Sequence, residues 1–265
     1  MNDEDFRPCA TCGGNRTCVW TIRQGLFAIV VPMDFLRAQR EADELLATAL
    51  APYGASGWVR MAPAGAWNAG DERLIPQLVG GTLRIVHDER GAPYALTAAG
   101  EEDKGLLVSL TDEGDVVACA AARVGTPSDL VGIGIDLASP EDFAGERGAR
   151  FNHLIFSERE QALAPTLAAD EATGFAFAFS AKEAGFKACS APLRRWYDNR
   201  DEVLEFDLTQ FELADDHAVQ GTLRHAHAAR AMERMGISLW VVRREICGFA
   251  LSIALAKKTL RGSRR

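Results

Sequence analysis

The chain reads as an α+β protein built from two similar α/β halves that face each other across a cleft. Three observations carry that reading. Short apolar runs of strand length recur along the chain: GLFAIVV, TLRIVH, GLLVSL, DVVACAAARV, VGIGIDLA, SLWVVRRE and CGFALSIALA. Two longer segments, FLRAQREADELLATALAPYG and DEATGFAFAFSAKEAGFKACS, are made largely of helix formers. The order strand, helix, closing strands also occurs twice, from GLFAIVV to DVVACAAA and again from VGIGIDL to CGFALSIAL. Each unit is about 110 residues, the size of a half-domain, and the junction of two such units is a favoured place for a ligand.

The expected division is an irregular, Cys-containing leader over 1–20, an N-terminal half over 21–127, a C-terminal half over 128–258 that bears the chemistry, and a basic tail over 259–265. In the first half, GLFAIVV is a strand. The helix after it has an apolar set of Phe35, Leu36, Leu45, Leu46 and Leu50, and Pro52 and Gly54 end it. Residues 55–80, rich in Ala, Gly and Pro, carry no clear assignment. TLRIVH and the run through Tyr94 and Leu96 flank the polar turn DERGAP. GLLVSL and DVVACAAARV flank TDEG, a hairpin pattern with Gly114 available for a left-handed position.

In the second half, VGIGIDLA is a strand that ends in an acid. Ser157 and Glu160 are spaced as a capping box at the start of a helix. Phe175, Phe177 and Phe179 alternate as a strand would, but the segment is rich in helix formers and predicts a helix over about 171–189. VLEFDLTQFEL reads as strand, and SLWVVRRE and CGFALSIALA as a final pair.

Composition narrows the function classes. The 265 residues are 48% hydrophobic and 25% charged, a globular balance, with a net charge of −8. An acidic chain is a poor fit to nucleic acid or an anionic membrane, both of which need basic patches. No apolar run reaches the ~18 residues of a membrane span. The acidic start MNDEDFRPCA lacks the basic-then-apolar pattern of a signal peptide, so a cytoplasmic location is expected. Cys119, Cys189 and Cys247 read as buried thiols. Cys9, Cys12 and Cys18 form half of a zinc-ribbon pattern without its second half. A structural zinc needs four ligands, which favours a loose, reduced leader over a metal site.

The stretch FSAKEAGFKA places Lys182, Glu183 and Lys187 in small and apolar surroundings. On a helix Glu183 and Lys187 share a face at i and i+4. As an exposed pair they would contribute only about 0.3–0.5 kcal/mol. Asp136, at the end of an apolar strand, adds a second chemistry. A strand-end Asp with a helix Glu can hold Mg²⁺ through carboxylates while phosphate oxygens and waters complete the octahedron, and a neighbouring Lys neutralises the phosphate. Lys182 and Lys187 are both expected to serve there.

GIGIDLA, FSERE and FSAKEAGFKA, in this order and at this separation, resemble the 4′-phosphopantetheinyl transferases. The phrase FSAKEAGFKACSAPLRRWYDNRDEVLEFDLTQFEL is most similar to the branch typified by the enterobactin-synthetase enzymes of secondary metabolism. SLTDEGDVVACAA resembles the family's SxTH…GYxxAA segment and ERGAPY its GKP segment, so the likeness spans approximately 80–255. It implies a pseudo-dimer of two α/β halves with coenzyme A in the cleft. It also implies Mg²⁺-dependent transfer of the phosphopantetheine arm to a serine of an acyl or peptidyl carrier protein. By motif, Asp136 and Glu183 would be the metal ligands, Glu183 the base for the serine, Lys187 the pyrophosphate contact and Thr111 a contact to the coenzyme phosphates.

Three positions depart from the family pattern. Asp112 stands where the family has the His of SxTH, at a coenzyme-binding position. Ala138 replaces the second acid of GIDxE. Ala92 replaces the Lys of GKP, with Arg90 nearby as a substitute phosphate contact. A diverged member that binds coenzyme A or a carrier protein without catalysis is the alternative. His225 and His227, at i and i+2, face apart on a helix and make a poor metal pair. Trp196 and Tyr197 read as packing residues or a carrier contact. Arg194 and Arg195 read as a solvated run or as partners for an acidic carrier helix.

Overall fold

A computed structural model describes residues 17–21, 28–63, 84–88, 91–114, 116–125, 128–197, 211–212, 222–223 and 232–258. The leader cysteines Cys9 and Cys12, Arg90, the pair His225 and His227, and most of VLEFDLTQFEL lie outside the described residues. The first half begins with strands β1 (Thr17–Thr21) and β2 (Ala28–Pro32), which pair antiparallel, followed by helix α1 (Met33–Leu50). The buried face of α1 is Ala38, Ala42, Leu46, Ala49 and Leu50, a helical period carried mostly by alanines. The sequence suggested larger residues. Leu46 and Leu50 are buried as expected, Leu45 is only partly buried against the core, and alanines fill the rest of the stripe. A 3₁₀ turn at Ala51–Tyr53 ends the helix, and Gly54 closes it at φ 60°, where the Gly54 amide bonds the Ala51 carbonyl.

Strand β3 (Ser56–Pro63) follows directly, in a segment whose composition gave no sign of it. Next come the paired strands β4 (Arg84–His87) and β5 (Pro93–Leu96), then β6 (Leu106–Glu113) and β7 (Val116–Arg123). The last two form the expected hairpin. Glu113 pairs with Val116 across the turn, and Gly114 takes φ 53°. The sheet order is β3–β7–β6, all antiparallel.

The second half opens with β8 (Leu130–Ala138). A 3₁₀ turn at Pro140–Phe143 leads to helices α2 (Gly145–Ile155), α3 (Glu158–Leu163) and α4 (Glu171–Tyr197). Short pieces β9 (Phe211–Glu212) and β10 (Thr222–Leu223) precede the hairpin β11 (Ile237–Ile246) and β12 (Phe249–Lys258). The sheet order is β11–β12–β8. Both halves therefore place the last strand of a hairpin at the centre of a three-stranded antiparallel sheet beside a helix. They differ in the third strand. In the second half it precedes the helix, whereas in the first it is β3, which follows it, because β2 pairs with β1. Cys247 is not the buried thiol expected. It sits exposed in the β11–β12 turn at φ 52°, beside Gly248 at φ 82°.

Helix α4 runs beyond the expected end at 189 and contains Pro192, which removes the donor for the Ala188 carbonyl. Burial along its length outweighs that loss: Phe175, Ala176, Phe177, Ala178, Ala181, Ala184 and Ala188 all lie in one core. Its seat explains GIGID. A side-chain carbon on Gly134 would stand 1.8 Å from the Ala184 carbonyl, and one on Gly132 1.9 Å from that of Ala188, so only glycine lets the helix backbone rest on the strand.

Strand β8 is buried on both faces, hence its unbroken apolar run. Ile133, Ile135 and Leu137 join Leu107, Ala118 and Leu46 of the first half in a shared core, while Ala138 packs with Phe143 under α4. The edge of β8 meets β6 through a side chain, because the Ile135 amide donates to Ser109 Oγ at 3.0 Å. Among the described residues no helix is long and apolar enough to cross a membrane.

Candidate active site at the junction of the two halves

Asp136 stands where β8 emerges between β6 and α4. Even-numbered positions of β8 face α4, so the glycines at 132 and 134 let the helix approach and Asp136 meets its side chains. The carboxylate is 4% exposed. Its Oδ1 accepts from Lys187 Nζ at 2.6 Å and from Thr111 Oγ1 at 2.8 Å. Its Oδ2 is buried without a hydrogen-bond partner. Burial pushes the Asp136 carboxyl up to about 6, against the opposing pull of Lys187, with the Glu183 charge adding to the rise.

Glu183 and Lys187 reach this point from successive turns of α4. Glu183 is half-buried, and burial raises its pKa while Lys187 draws it down. One turn earlier on the same face, Ser180 Oγ and Ser252 Oγ lie 2.7 Å apart. Ser252 is the cross-strand neighbour of Asp136. The two buried hydroxyls tie α4 to β12 at the level of the carboxylate.

The first half contributes one face of β6. Side chains alternate along a strand, so Ser109, Thr111 and Glu113 point together. Ser109 bonds the Ile135 amide, Thr111 bonds Asp136 and Glu113 comes next. Asp112 is exposed and, by the same alternation, points to the opposite face, away from the Thr111–Asp136 contact.

Lys182 is likewise not brought to the cluster. Offset about 100° from Glu183 around the helix, its ammonium is fully buried. It donates to Glu160 Oε2 and the Ile155 carbonyl, each at 3.0 Å, and lies 5.3 Å from the centre of the Phe156 ring. A charge already satisfied in the core has no reach left for a phosphate, so its expected binding role is withdrawn. Its partner Glu160 also completes the expected capping box, accepting from the Ser157 amide at 2.9 Å.

Glu113 is a residue that the motifs did not single out. Burial pushes its carboxyl up to about 7, and the charge and hydrogen bond of Asp142, then the charges of Asp136 and Asp112, push the same way. The alternation S-L-T-D-E contained the signal, since Glu113 shares the parity of Thr111. Asp142 lies in the 3₁₀ turn just after β8.

Among the described residues no three His, Cys, Asp or Glu side chains are arranged to hold a metal ion by themselves. A Mg²⁺ ion bound mainly by phosphate oxygens and water needs only one or two carboxylates from the protein. The donor set suits that mode. Asp136 has a buried oxygen without a partner, and Glu183 crowds it with like charge.

Residues 132–248 match the family model described as ACPS, 4′-phosphopantetheinyl transferase superfamily, a span of slightly under half the chain. Among solved structures, the chain is similar to an ACPS–CoA complex from Chronobacterium ammoniagenes. The two are 25% identical over 49% of this chain and 98% of that one, with a TM-score of 0.38. It is also similar to an apo-ACPS structure from the same genus, at 24% identity over 48% and 96%, with a TM-score of 0.37. No curated protein matches the chain.

Proposed function

We propose that the chain transfers the 4′-phosphopantetheine arm of coenzyme A to a serine of an acyl or peptidyl carrier protein, releasing 3′,5′-ADP. One observation carries the reading. Asp136, a buried carboxylate with an unpartnered oxygen, sits where both halves converge, held by Thr111 from one and by Lys187 from the other. The family match over 132–248 covers the elements that supply Asp136, Glu183 and Lys187.

In this reaction the serine oxygen attacks the phosphorus that bears the pantetheine arm. A new P–O bond forms, the P–O bond of the pyrophosphate bridge breaks, and its electrons leave on 3′,5′-ADP. Glu183 takes the serine proton in this reading, and a carboxyl raised by burial is a stronger base for that step. Lys187 offers its ammonium to the pyrophosphate oxygens. Thr111 and Asp136 fix one another, so the phosphate-facing surface is rigid before substrate arrives. Asp136 and Glu183 are the residues that would hold Mg²⁺, which when bound neutralises charge on the phosphoryl oxygens. Placement in the enterobactin-synthetase-like branch rests on the FSAKEAGFKA phrase and its continuation alone.

The test is incubation of the chain with coenzyme A, Mg²⁺ and a panel of carrier proteins, read by mass. The expected result is a gain of one phosphopantetheine arm on a carrier. No gain on any carrier, with coenzyme binding retained, would instead identify a binding module.

A further inference from the structure

We infer that Lys182 is a positioning residue, whose buried pair with Glu160 holds α4 at the setting in which Lys187 meets Asp136 and Glu183 stands one turn away. The inference deepens the proposed function and rests on it for the effect on catalysis, but not for the setting of the helix. It stands first on how α4 is seated. Gly132 and Gly134 receive the carbonyls of Ala188 and Ala184 directly, and Ala181, Ala184 and Ala188 are buried in the core around that seat. Small side chains bring helix and strand close, but they offer few ridges that resist a slide or a turn of the helix. Directed bonds resist it. Ser180 Oγ and Ser252 Oγ hold α4 to β12 at 2.7 Å, and Lys187 Nζ reaches Asp136 Oδ1 at 2.6 Å. Lys182 supplies the bonds towards α2 and α3.

It stands second on what the Lys182 ammonium joins. One bond goes to the Ile155 carbonyl at the end of α2 and one to Glu160 Oε2 in the first turn of α3, each at 3.0 Å. The ring of Phe156, between the two helices, lies 5.3 Å away. That junction is itself tied together. Glu160 Oε2 accepts from the Ser157 amide, Ser157 Oγ accepts from the Glu160 amide, and Gln161 Nε2 donates to the Phe156 carbonyl. Helix α4 is therefore fastened to a fixed block through the residue next to Glu183. Both charged side chains are 0% exposed. Two charges taken out of water at that depth regain about what their desolvation costs, so the pair adds little stability over apolar side chains of the same volume. What it adds is a fixed geometry, and a misplacement of about 1 Å at a reacting group lowers a rate by about a hundredfold.

The experiment compares the parent chain with Lys182→Met/Glu160→Gln, in which both partners of the pair are neutral. The helix setting is read first, without substrate. Ser180→Cys and Ser252→Cys are introduced into both chains, and the rate at which an oxidant closes the bridge between them is followed by mass after digestion. A disulfide closes only when the two Cβ atoms stand about 3.5–4.5 Å apart, so the bridge is expected to close at least about tenfold more slowly in the double variant. The chains without the added cysteines are then assayed for transfer, with circular dichroism showing that each is folded. A fall in kcat of at least about tenfold is expected, larger than any rise in KM for coenzyme A. Glu160→Gln alone keeps the Ser157 cap and weakens the pair. It is expected to lie between the two chains in both readings, and it decides the matter if the double variant does not fold. A folded variant that closes the bridge at the parent's rate would overturn the inference, as would one that keeps the parent's kcat. A parent chain that transfers to no carrier would count against the proposed function, and the bridge would still decide the setting of α4.

Discussion

Asp136 lies in a setting that opposes its own ionisation. Its carboxyl is raised from 3.8 to about 6, chiefly by burial. A carboxyl raised on folding makes the folded state less stable once it ionises. The penalty is absent below the unfolded value of 3.8, grows through the interval and is complete above about 6. In chelator, Asp136→Asn is therefore expected to raise stability at pH 8 by about 1–2 kcal/mol, allowing for the weakened bonds to Lys187 and Thr111. The gain should vanish towards pH 4, as thermal melts across that range would show. A destabilised asparagine variant at pH 8 would mean that the Lys187 pair outweighs burial. Lys182 and Glu160 behave in the opposite way. Each satisfies the other inside the core, so Lys182→Met alone leaves a buried charge and is expected to lose about 3–5 kcal/mol in denaturant unfolding. The double variant with Glu160→Gln should recover part of that loss. The adjacent pair Lys182 and Glu183 shows what spacing conveys. It states that the two side chains diverge by a quarter turn, but not which of them meets the cleft.

At the scale of elements, the most legible feature was α4 with its strand. GIGID ends in an acid after two glycines, and both glycines proved to be the floor on which the helix carbonyls rest. Gly134→Ala would drive a methyl group into the Ala184 carbonyl. It is expected to lose about 3 kcal/mol or more of stability and to slow any transfer activity, since Glu183 and Lys187 ride on that helix. Equilibrium unfolding checks the first effect, and a full-stability alanine variant would contradict the close packing. The β6–β7 hairpin and the capping box at Ser157 were legible because local chemistry determines them. Strand β3 was not, because its Ala, Gly and Pro residues are selected by neighbours. Gly57 packs beneath the Ala121 carbonyl, a contact with no trace in one dimension. On the apolar face of α1, Leu46 and Leu50 were legible and Ala38, Ala42 and Ala49 were not, since alanine suits either a buried or an exposed face.

At the scale of the molecule, function depends on how the two halves meet. The shared core places β6 against β8, the Ser109 hydroxyl caps the β8 edge, and Thr111 then lands on Asp136. The sequence order of motifs suggested a cleft between similar halves. It did not reveal that Asp112 turns outward and Glu113 inward, which follows only once the register of β6 against β8 is known. We propose that this junction is a working phosphoryl-transfer site. Its most direct test is the initial rate of phosphopantetheine gain on a carrier protein, with coenzyme A and Mg²⁺, for the parent chain and for Glu183→Gln side by side. A measurable parent rate that falls at least about a hundredfold in the folded variant is the expected result. Equal rates in the two chains, or no transfer by the parent to any carrier, would contradict it.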